Sequence, residues 1–287
     1  MRNVPEYKIS FSTLGCPDWK ISQIVEMAVQ ARYDGIELRF VEGEASLWKL
    51  AAFRSEGLRE TWRRIEDAEL AISCVDTSCR FDSPDATDRD RWIDEGVRMA
   101  ELAAKLGAPG IRVFGDRIQP GVEREATRGW IREAINRLSE KISALGVEVW
   151  LETHGDFSGV QEVLATVPQR DGVGVVWDAV SAFVECGERP LQNGKQLAAL
   201  IRHVHVKDLR RHATKFVPVL TGDGEFPLAE VRVAVKAIDY VGFLSFEWEK
   251  KWHPEIEPPE IALPHFTKWF RERWHNLDNA VASGAYE

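Results

Sequence analysis

The sequence predicts a closed (β/α)8 barrel, an α/β fold in which eight parallel strands alternate with eight helices. Short runs rich in Val, Ile and Phe alternate eight times with segments whose apolar residues recur at helical spacing. The length of 287 residues suits one such barrel, which typically needs about 250. The segment after the first run, TLGCPDW, lacks the glycine spacing of a phosphate-binding open sheet. We therefore predict one TIM barrel, with an open parallel sheet as the alternative.

The predicted strands are bounded by glycines, prolines and polar residues. They are Tyr7–Leu14, Gly35–Phe40, Ala71–Thr77, Gly110–Gly115, Glu148–His154, Val173–Val180, Ile201–Asp208 and Gly242–Glu249. The first strand begins a short distance into the chain, and each later one follows a helical segment. The strand pattern therefore predicts parallel pairing, because each strand is separated from the next by a helix.

The predicted helices show apolar positions at intervals of three and four residues. They are Ile21–Tyr33, Leu47–Asp67, Thr87–Leu106, Glu123–Leu145, Val160–Ala165, Pro190–Leu200, Pro227–Ile238 and Pro259–Trp274. Gly107 and Gly146 are typical of residues that end a helix. Pro227 and Pro259 suit the first turn, where no amide hydrogen is missed.

Composition limits the function classes. Residues 1–287 are predicted to form a single domain, with 276–287 as a loose polar C-terminal tail. The net charge is −9 and no basic stripe is present, so we expect no nucleic-acid partner. No apolar run is long enough to span a membrane, and the N-terminus lacks a signal pattern. Four scattered cysteines without a CxxC pair indicate reduced thiols, and we expect a cytoplasmic protein.

Acidic or imidazole side chains end the last four predicted strands: Glu152, Asp178, His205 and Glu247. If these strands are neighbours in a barrel, their C-terminal ends meet at the mouth that holds the active site in such folds. Three carboxylates and one imidazole predict a site for one divalent ion. The oxygen-rich set with a single imidazole favours Mn²⁺, with Mg²⁺, Co²⁺ and Zn²⁺ as alternatives.

Several more residues near the same strand ends are candidates for substrate contact. They are His154, Lys207, Arg211, Glu37, Arg39 and Trp248. Side chains alternate along a strand, so His203 shares a face with His205 one step deeper. We expect His203 to hydrogen-bond near the metal ligands rather than bind the ion. A salt bridge to Asp208 or Glu249 is the alternative role of Lys207.

These motifs give the chain a resemblance to a known family. FSTLGCPDW, YDGIELR, AAKLGAPGIRVFGD, LETHGD, HVHVKD and SFEWEKKWHPEI are similar to the sugar phosphate isomerase/epimerase family, the xylose-isomerase-like barrels, over nearly the whole chain. The resemblance implies a metal held by Glu, Asp, His and Glu from strands five to eight. These positions correspond to Glu152, Asp178, His205 and Glu247.

The resemblance also implies roles. In epimerases of this superfamily the two glutamates exchange a substrate proton, which makes Glu152 and Glu247 the candidate catalytic residues. Arg211 matches the position of a substrate-binding arginine. Ser181 stands where many ketose epimerases have a second histidine, a departure that leaves the substrate open. Related barrels are often dimers or tetramers, so a homo-oligomer is expected.

The predicted chemistry is proton abstraction beside a carbonyl. A divalent ion that binds a carbonyl and a neighbouring hydroxyl acidifies the adjacent C–H, and a carboxylate base then gives a cis-enediolate. Reprotonation of this intermediate completes an isomerisation or epimerisation, so the sequence predicts an isomerase or epimerase of a sugar or sugar derivative. A metal-dependent dehydratase or lyase of a keto-sugar or inosose is the main alternative. An AP endonuclease-like DNA repair enzyme and a non-catalytic sugar binder are the remote ones.

Overall fold

The computed structural model describes residues 7–213 and 215–277, and it confirms the predicted barrel. Eight parallel strands close in the order β1-β2-β3-β4-β5-β6-β7-β10. They are β1 Lys8–Ser12, β2 Gly35–Leu38, β3 Ala71–Arg80, β4 Gly110–Phe114, β5 Glu148–Glu152, β6 Val173–Asp178, β7 Ile201–Val206 and β10 Phe243–Phe246. Most of the predicted tail, residues 278–287, lies outside the described residues.

Nine α-helices occur in the described part of the chain, and they pack around the barrel. They are α1 Ile21–Ala31, α2 Ser55–Asp67, α3 Ala86–Lys105, α4 Arg124–Ile142, α5 Val160–Thr166, α6 Ala179–Cys186, α7 Pro190–Gln196, α8 Leu228–Ala237 and α9 Pro259–Arg273. Pro259 is in the first turn of α9, as predicted, whereas Pro227 precedes α8 as its N-cap.

The predicted helix 47–67 is shorter in the structure. Two short 3₁₀ turns, Leu47–Lys49 and Ala51–Phe53, precede α2. The chain bends at Ser55, whose φ is 43°. Gly57 then lies so near the Ala51 carbonyl that a Cβ at this position would be 2.1 Å from its oxygen. The positive φ at Ser55 interrupts the predicted helix, and the resulting bend lets α2 pack on the preceding 3₁₀ turn.

Two elements near the barrel mouth were not predicted. Helix α6 begins directly after β6, where the sequence favours a longer strand. The connection after β7 contains an antiparallel hairpin of β8 Asp208–His212 and β9 Lys215–Val219. Both elements border the C-terminal ends of β6 and β7, so they shape the entrance to the barrel.

The core has the two layers expected of this fold. Apolar side chains between strands and helices form one large cluster that includes Phe11, Ile111, Trp177 and Phe266, all of them fully buried. Polar residues replace apolar ones inside the barrel toward its C-terminal end. No helix within residues 7–213 and 215–277 is long and apolar enough to cross a membrane.

Candidate metal and substrate site

The four predicted ligands meet at the C-terminal ends of the strands. One possible ligand atom from each of Glu152, Asp178, His205 and Glu247 lies within 4.8 Å of those of the other three. Glu152 and Asp178 are the last residues of β5 and β6, and Glu247 directly follows β10. The β6–β7 register pairs Asp178 with His205. We call these four residues the ligand cluster.

His205 lies between the two glutamates. Its Nδ1 atom is 3.6 Å from Glu152 Oε1 and 3.3 Å from Glu247 Oε2. The second ring nitrogen, Nε2, is 3.0 Å from Glu37 Oε1. The ring therefore points Nδ1 at the cluster and uses Nε2 to contact a carboxylate beneath it. Neutral imidazole held in this way offers a free Nδ1 lone pair to an ion.

Glu37 lies under the cluster and is fully buried. Its second oxygen, Oε2, is 2.6 Å from Nε2 of His203, so each oxygen contacts one imidazole. Burial raises the pKa of Glu37, but His205 and His203 outweigh burial and hold it well below its usual range. The predicted neighbour role of His203 thus has a geometric basis, because His203 and His205 share the Glu37 carboxylate.

Asp178 faces in two directions. Its Oδ1 accepts hydrogen bonds from the amides of Val180 at 2.9 Å and Ser181 at 3.3 Å, which caps helix α6. Its Oδ2 accepts a 2.9 Å hydrogen bond from the Ser181 hydroxyl. The serine that departs from the epimerase pattern therefore orients a predicted ligand. A capped carboxylate loses little further freedom when it binds an ion.

Lys207 shares two members of the ligand cluster. Its Nζ is 2.9 Å from Asp178 Oδ2, 2.6 Å from Glu247 Oε2 and 2.5 Å from Glu249 Oε1. Burial lowers its pKa, but Asp178, Glu247 and Glu249 outweigh burial and raise it well above its usual range. The predicted contact to Glu249 is present, while Asp208 instead binds backbone amides of the loop after β9.

Arg112 and Asp76 extend the buried network on the opposite side. Arg112 Nε is 3.2 Å from Glu152 Oε2, and its Nη2 is 3.2 Å from Asp76 Oδ2. The sequence shows a signal for this pair, because Arg112 lies between apolar residues of a buried strand. Its partners could not be predicted, since they come from the strands on either side of β4.

The charges of the cluster perturb its ionisation. Burial raises the pKa of Glu247, but His205 and Lys207 outweigh it and bring the pKa below its usual range. Glu152 shows the same direction because Arg112 outweighs burial. Burial raises the pKa of Asp178, assisted by the neighbouring glutamates. For His205, burial lowers the pKa, but the carboxylates around the ring raise it well above its usual range.

The residues fit a divalent cation. The network contains six carboxyl groups beside three permanent cations and the His205 imidazole, whose pKa the carboxylates raise: Glu37, Asp76, Glu152, Asp178, Glu247 and Glu249 with Arg39, Arg112 and Lys207. His205 Nδ1 is buried and makes no hydrogen bond to other described residues, and Glu152 Oε2 has only its 3.2 Å ion pair with Arg112. Buried unpaired polar atoms are costly, and an ion bound there would satisfy them. The cluster therefore has the ligand types, spacing and charge of a metal site.

A cavity of about 620 Å³ opens beside the cluster. Lys207 and Glu249 form its inner end, and the predicted substrate residue Arg211 lies on its hairpin wall. Its volume is in the range of small-molecule sites. A larger depression of about 840 Å³ lies against Trp48 and Arg98. The described residues that line it include none of the predicted site residues.

The remaining predicted substrate residues differ in access. His154 stays at the mouth, where its side chain is 40% exposed and its Nδ1 is 3.9 Å from Asp116. Arg39 is buried and donates to Ser78 Oγ at 3.0 Å. Burial, with the charge of Arg112, lowers the Arg39 pKa to about 10.

Trp248 and Glu37, two further predicted substrate residues, are buried and engaged with other groups of the protein. Trp248 is only 1% exposed, because its ring packs on Phe246 and its indole N–H donates to the Glu257 carbonyl. Glu37 is fully buried, and both its oxygens contact imidazoles. Neither side chain is among the residues that line the cavity, so the geometry lends these two predictions no support.

Fold and site define a barrel whose mouth holds a cluster of acidic residues and histidine. Residues 25–273 match the family model described as the xylose isomerase-like TIM barrel, and the chain belongs to that family. No curated protein sequence matches the chain significantly.

Solved structures share the fold across almost the whole chain. An L-ribulose 3-epimerase has a TM-score of 0.78 at 17% identity, covering 96% of this chain and 97% of its own. The probable 3-DHS dehydratase AsbF from Bacillus anthracis has a TM-score of 0.73 at 20% identity, covering 93% and 99%. An IOLI protein with a bound zinc atom has 0.74 at 17% identity, covering 91% and 96%. At these identities the likeness establishes the fold.

Proposed function

We propose that this protein is a metal-dependent isomerase or epimerase of a sugar or sugar derivative. It would remove a proton beside a carbonyl and return one through a cis-enediolate. The observation that carries the proposal is the position of Glu152 and Glu247 on either side of His205 Nδ1, at 3.6 and 3.3 Å. Two carboxylates that flank one point can serve opposite faces of a bound substrate.

Glu152, Asp178, His205 and Glu247 would hold one divalent ion, with Mn²⁺ favoured and Mg²⁺, Co²⁺ or Zn²⁺ as alternatives. When bound, the ion supplies Lewis-acid polarisation of the substrate carbonyl, which acidifies the adjacent C–H. Asp178 is held by its helix cap and Ser181, so its role is binding and orientation. Glu152 and Glu247 are proposed to move the proton.

The protein environment suits a carboxylate base. The lowered pKa values of Glu152 and Glu247 keep both groups ionised, and therefore able to accept a proton, at neutral pH. Lys207 Nζ lies at the cavity's inner end, 2.6 Å from Glu247 Oε2, and is proposed to donate to a substrate oxygen in exchange for one of its three carboxylate contacts. His154 and Arg211 are proposed to contact the substrate further out.

A dehydratase or lyase is the second candidate. The same enediolate can expel a neighbouring hydroxyl if an acid protonates it. Lys207 would be that acid, because its ammonium group lies at the cavity's inner end beside Glu247, but the carboxylates that raise its pKa also make it a weaker proton donor. Proton return and loss of water would therefore start from the same residues.

A DNA repair enzyme and a non-catalytic sugar binder have less support. The two groups of described residues that could ligate a metal share His205 and contain six residues in all, which are few ligands for a cluster of several ions. Together with the net charge of −9, this argues against a DNA repair role. A purely sugar-binding protein would need no pair of carboxylates beside an unpaired imidazole nitrogen.

The test is solvent deuterium exchange at saturating Mn²⁺ with a panel of ketoses, keto-sugar acids and inososes. An isomerase or epimerase incorporates deuterium without another change in mass, and a dehydratase gives a product with one water fewer. Glu152→Gln and Glu247→Gln should each lower the rate by about 10²–10⁴-fold, because each removes a positioned base.

Glu230→Gln is the matched control, since this glutamate is also buried but lies outside both the cavity and the ligand cluster, where it pairs with Arg189. It should keep the wild-type rate. Exchange that persists unchanged in both Glu152→Gln and Glu247→Gln would contradict the proposed roles.

A further inference from the structure

We propose that the substrate carries an anionic group, a carboxylate or a phosphate ester, which Arg211 binds at the outer end of the 620 Å³ cavity. This inference rests on the proposed function, because it concerns the far end of the same substrate whose carbonyl lies at the ligand cluster. It adds a substrate class, namely acidic sugars or sugar phosphates rather than neutral sugars.

The hairpin presents Arg211 to the cavity. In the β8–β9 register, Leu209 pairs with Pro218 and Arg211 with Phe216. Directly paired residues share one face of a hairpin, and successive residues alternate. All four of these residues line the cavity, so this face forms its wall. Arg210 falls on the opposite face and donates to the Asp223 carbonyl.

Arg211 is positioned without a carboxylate partner. Its guanidinium carbon lies 4.7 Å from the centre of the Phe216 ring, a stacking contact that orients the group. Within residues 7–213 and 215–277 it forms no ion pair. Lys215, at the hairpin tip, is a second cavity cation without such a partner there. Glu185 also lines the cavity but pairs with Arg117 at 3.7 Å, so Arg211 and Lys215 leave a local excess of positive charge there.

The inner end of the cavity differs in this respect. Lys207 is neutralised by three carboxylates, and Glu249 is shared between Lys207 and His253. The cation beside the ligand cluster is therefore balanced by carboxylates, whereas the positive charge of Arg211 is not. A planar guanidinium matches the oxygens of a carboxylate or phosphate in paired hydrogen bonds.

The span suits a sugar-sized molecule. Lys207 and Arg211 are four residues apart along an extended segment, so their backbones are separated by at most about 13 Å. Val180 and Val184 of α6 line the cavity together with the apolar residues of the hairpin. A short carbon chain can pack between these walls while its charged end reaches Arg211.

The experiment compares three six-carbon ketoses by calorimetry on the Mn²⁺-loaded protein. D-Fructose is neutral, D-fructose 6-phosphate carries a phosphate on the terminal carbon far from its ketone, and 5-keto-D-gluconate has a carboxylate as the corresponding terminal carbon. We expect at least one charged probe to bind about tenfold more tightly than fructose. The two charged probes distinguish phosphate from carboxylate.

Arg211→Gln should reduce that preference at least fivefold, and Arg211→Lys should keep part of it. Arg210→Gln is the matched control, since it makes the same change of charge on the opposite hairpin face. The inference is overturned if neither charged probe is preferred by the wild type, or if Arg210→Gln removes the preference as strongly as Arg211→Gln. Mn²⁺ binding and ketose proton exchange that survive such a result would leave the proposed function intact.

Discussion

Glu37 contacts two imidazoles at once, and this limits how His205 can bind an ion. With Nε2 held at 3.0 Å by Glu37, only Nδ1 is free to face Glu152 and Glu247. A carboxylate that fixes the ring in this way also makes it a stronger ligand. We therefore assign Glu37 a positioning role rather than a contact with substrate.

Replacing Glu37 by Gln should weaken Mn²⁺ binding about 10–100-fold, because the amide holds the His205 ring less strongly and removes a negative charge. Isothermal titration with Mn²⁺ measures the change. Glu230→Gln is the control. Glu230 lies on α8 outside the site, and it is also buried but pairs with Arg189. Equal Mn²⁺ affinity in wild type and Glu37→Gln would show that the contact between Glu37 and His205 has no influence on ion binding.

At the scale of single residues, the sequence predicted which residue types lie at the site better than which side chains they contact. Strand periodicity placed His203 and His205 on one face, and in the structure both contact Glu37. The burial of Trp248 was not predicted, because strand-end position does not reveal on which side of the backbone a side chain packs. No role was predicted for Arg112, since its contacts depend on neighbouring strands that are far away in sequence.

The connection after β7 is the most irregular element at the mouth. Its hairpin is anchored by Asp208, whose Oδ1 accepts from the Leu209 amide at 2.9 Å. Oδ2 accepts from the amides of Gly222 at 2.8 Å and Gly224 at 2.9 Å. Arg211 is therefore carried by a hairpin that is fastened at its base, which fixes the direction of the cavity wall.

Gly224→Ala should destabilise this anchor. A Cβ at this position would lie 2.0 Å from Asp208 Oδ1 and 2.5 Å from the Leu209 carbonyl oxygen. We expect a loss of about 1–3 kcal/mol in the free energy of unfolding, measured by urea denaturation.

Gly129→Ala provides the opposite expectation in the same assay. Gly129 lies inside α4, and a Cβ there would meet nothing within 4 Å. Alanine should stabilise the helix by about 0.5–1 kcal/mol. If both variants shifted the unfolding free energy in the same direction, the assigned crowding at Gly224 would be wrong.

At the scale of elements, prediction from the sequence failed where the same residue pattern suits both a strand and a helix. VGVVWDAVSAFV is apolar almost throughout, so periodicity alone could not separate the end of β6 from the start of α6. The one available signal was Asp178 itself, because aspartate is a favoured N-cap residue and here it caps the first turn of α6. The hairpin was missed because its strands are short and carry Arg, Lys and Pro218.

For the whole molecule, the proposed metal binding at the ligand cluster predicts a change in stability. An ion that binds only the folded chain stabilises it by about 2.7 kcal/mol when its concentration is 100-fold above Kd. Removal of bound metal with EDTA should therefore lower Tm by about 5 °C for a chain of this size, measured by calorimetry. Stoichiometric Mn²⁺ should restore the original value.

Asp178→Asn separates this effect from folding. Asparagine keeps an oxygen that can cap α6 but removes one anionic ligand. The variant should unfold near the Tm of the metal-free wild type, with a much smaller response to Mn²⁺. An unchanged Tm after metal removal, with no metal found by elemental analysis of the wild type, would contradict the metal site.

The architecture was predictable because its sequence pattern repeats. Eight strand–helix units give the same indication, so errors at single boundaries, such as those around α2, do not alter the barrel. The site was predictable only in part. Closure brings β5, β6, β7 and β10 side by side, and their last residues thereby converge. The cavity depends on α6 and the hairpin, which follow no repeat.

The abrupt junction between β6 and α6 has a consequence for how such a mouth can diversify. The strand ends at Asp178 and the helix starts at the next residue, so an inserted residue would move the carboxylate off either its cap or its cluster. The connection from β7 to α8 holds a whole hairpin and has room for changes in length. We expect natural variation in chain length to accumulate on the hairpin side, so new substrate preferences can arise there while the reacting centre stays unaltered.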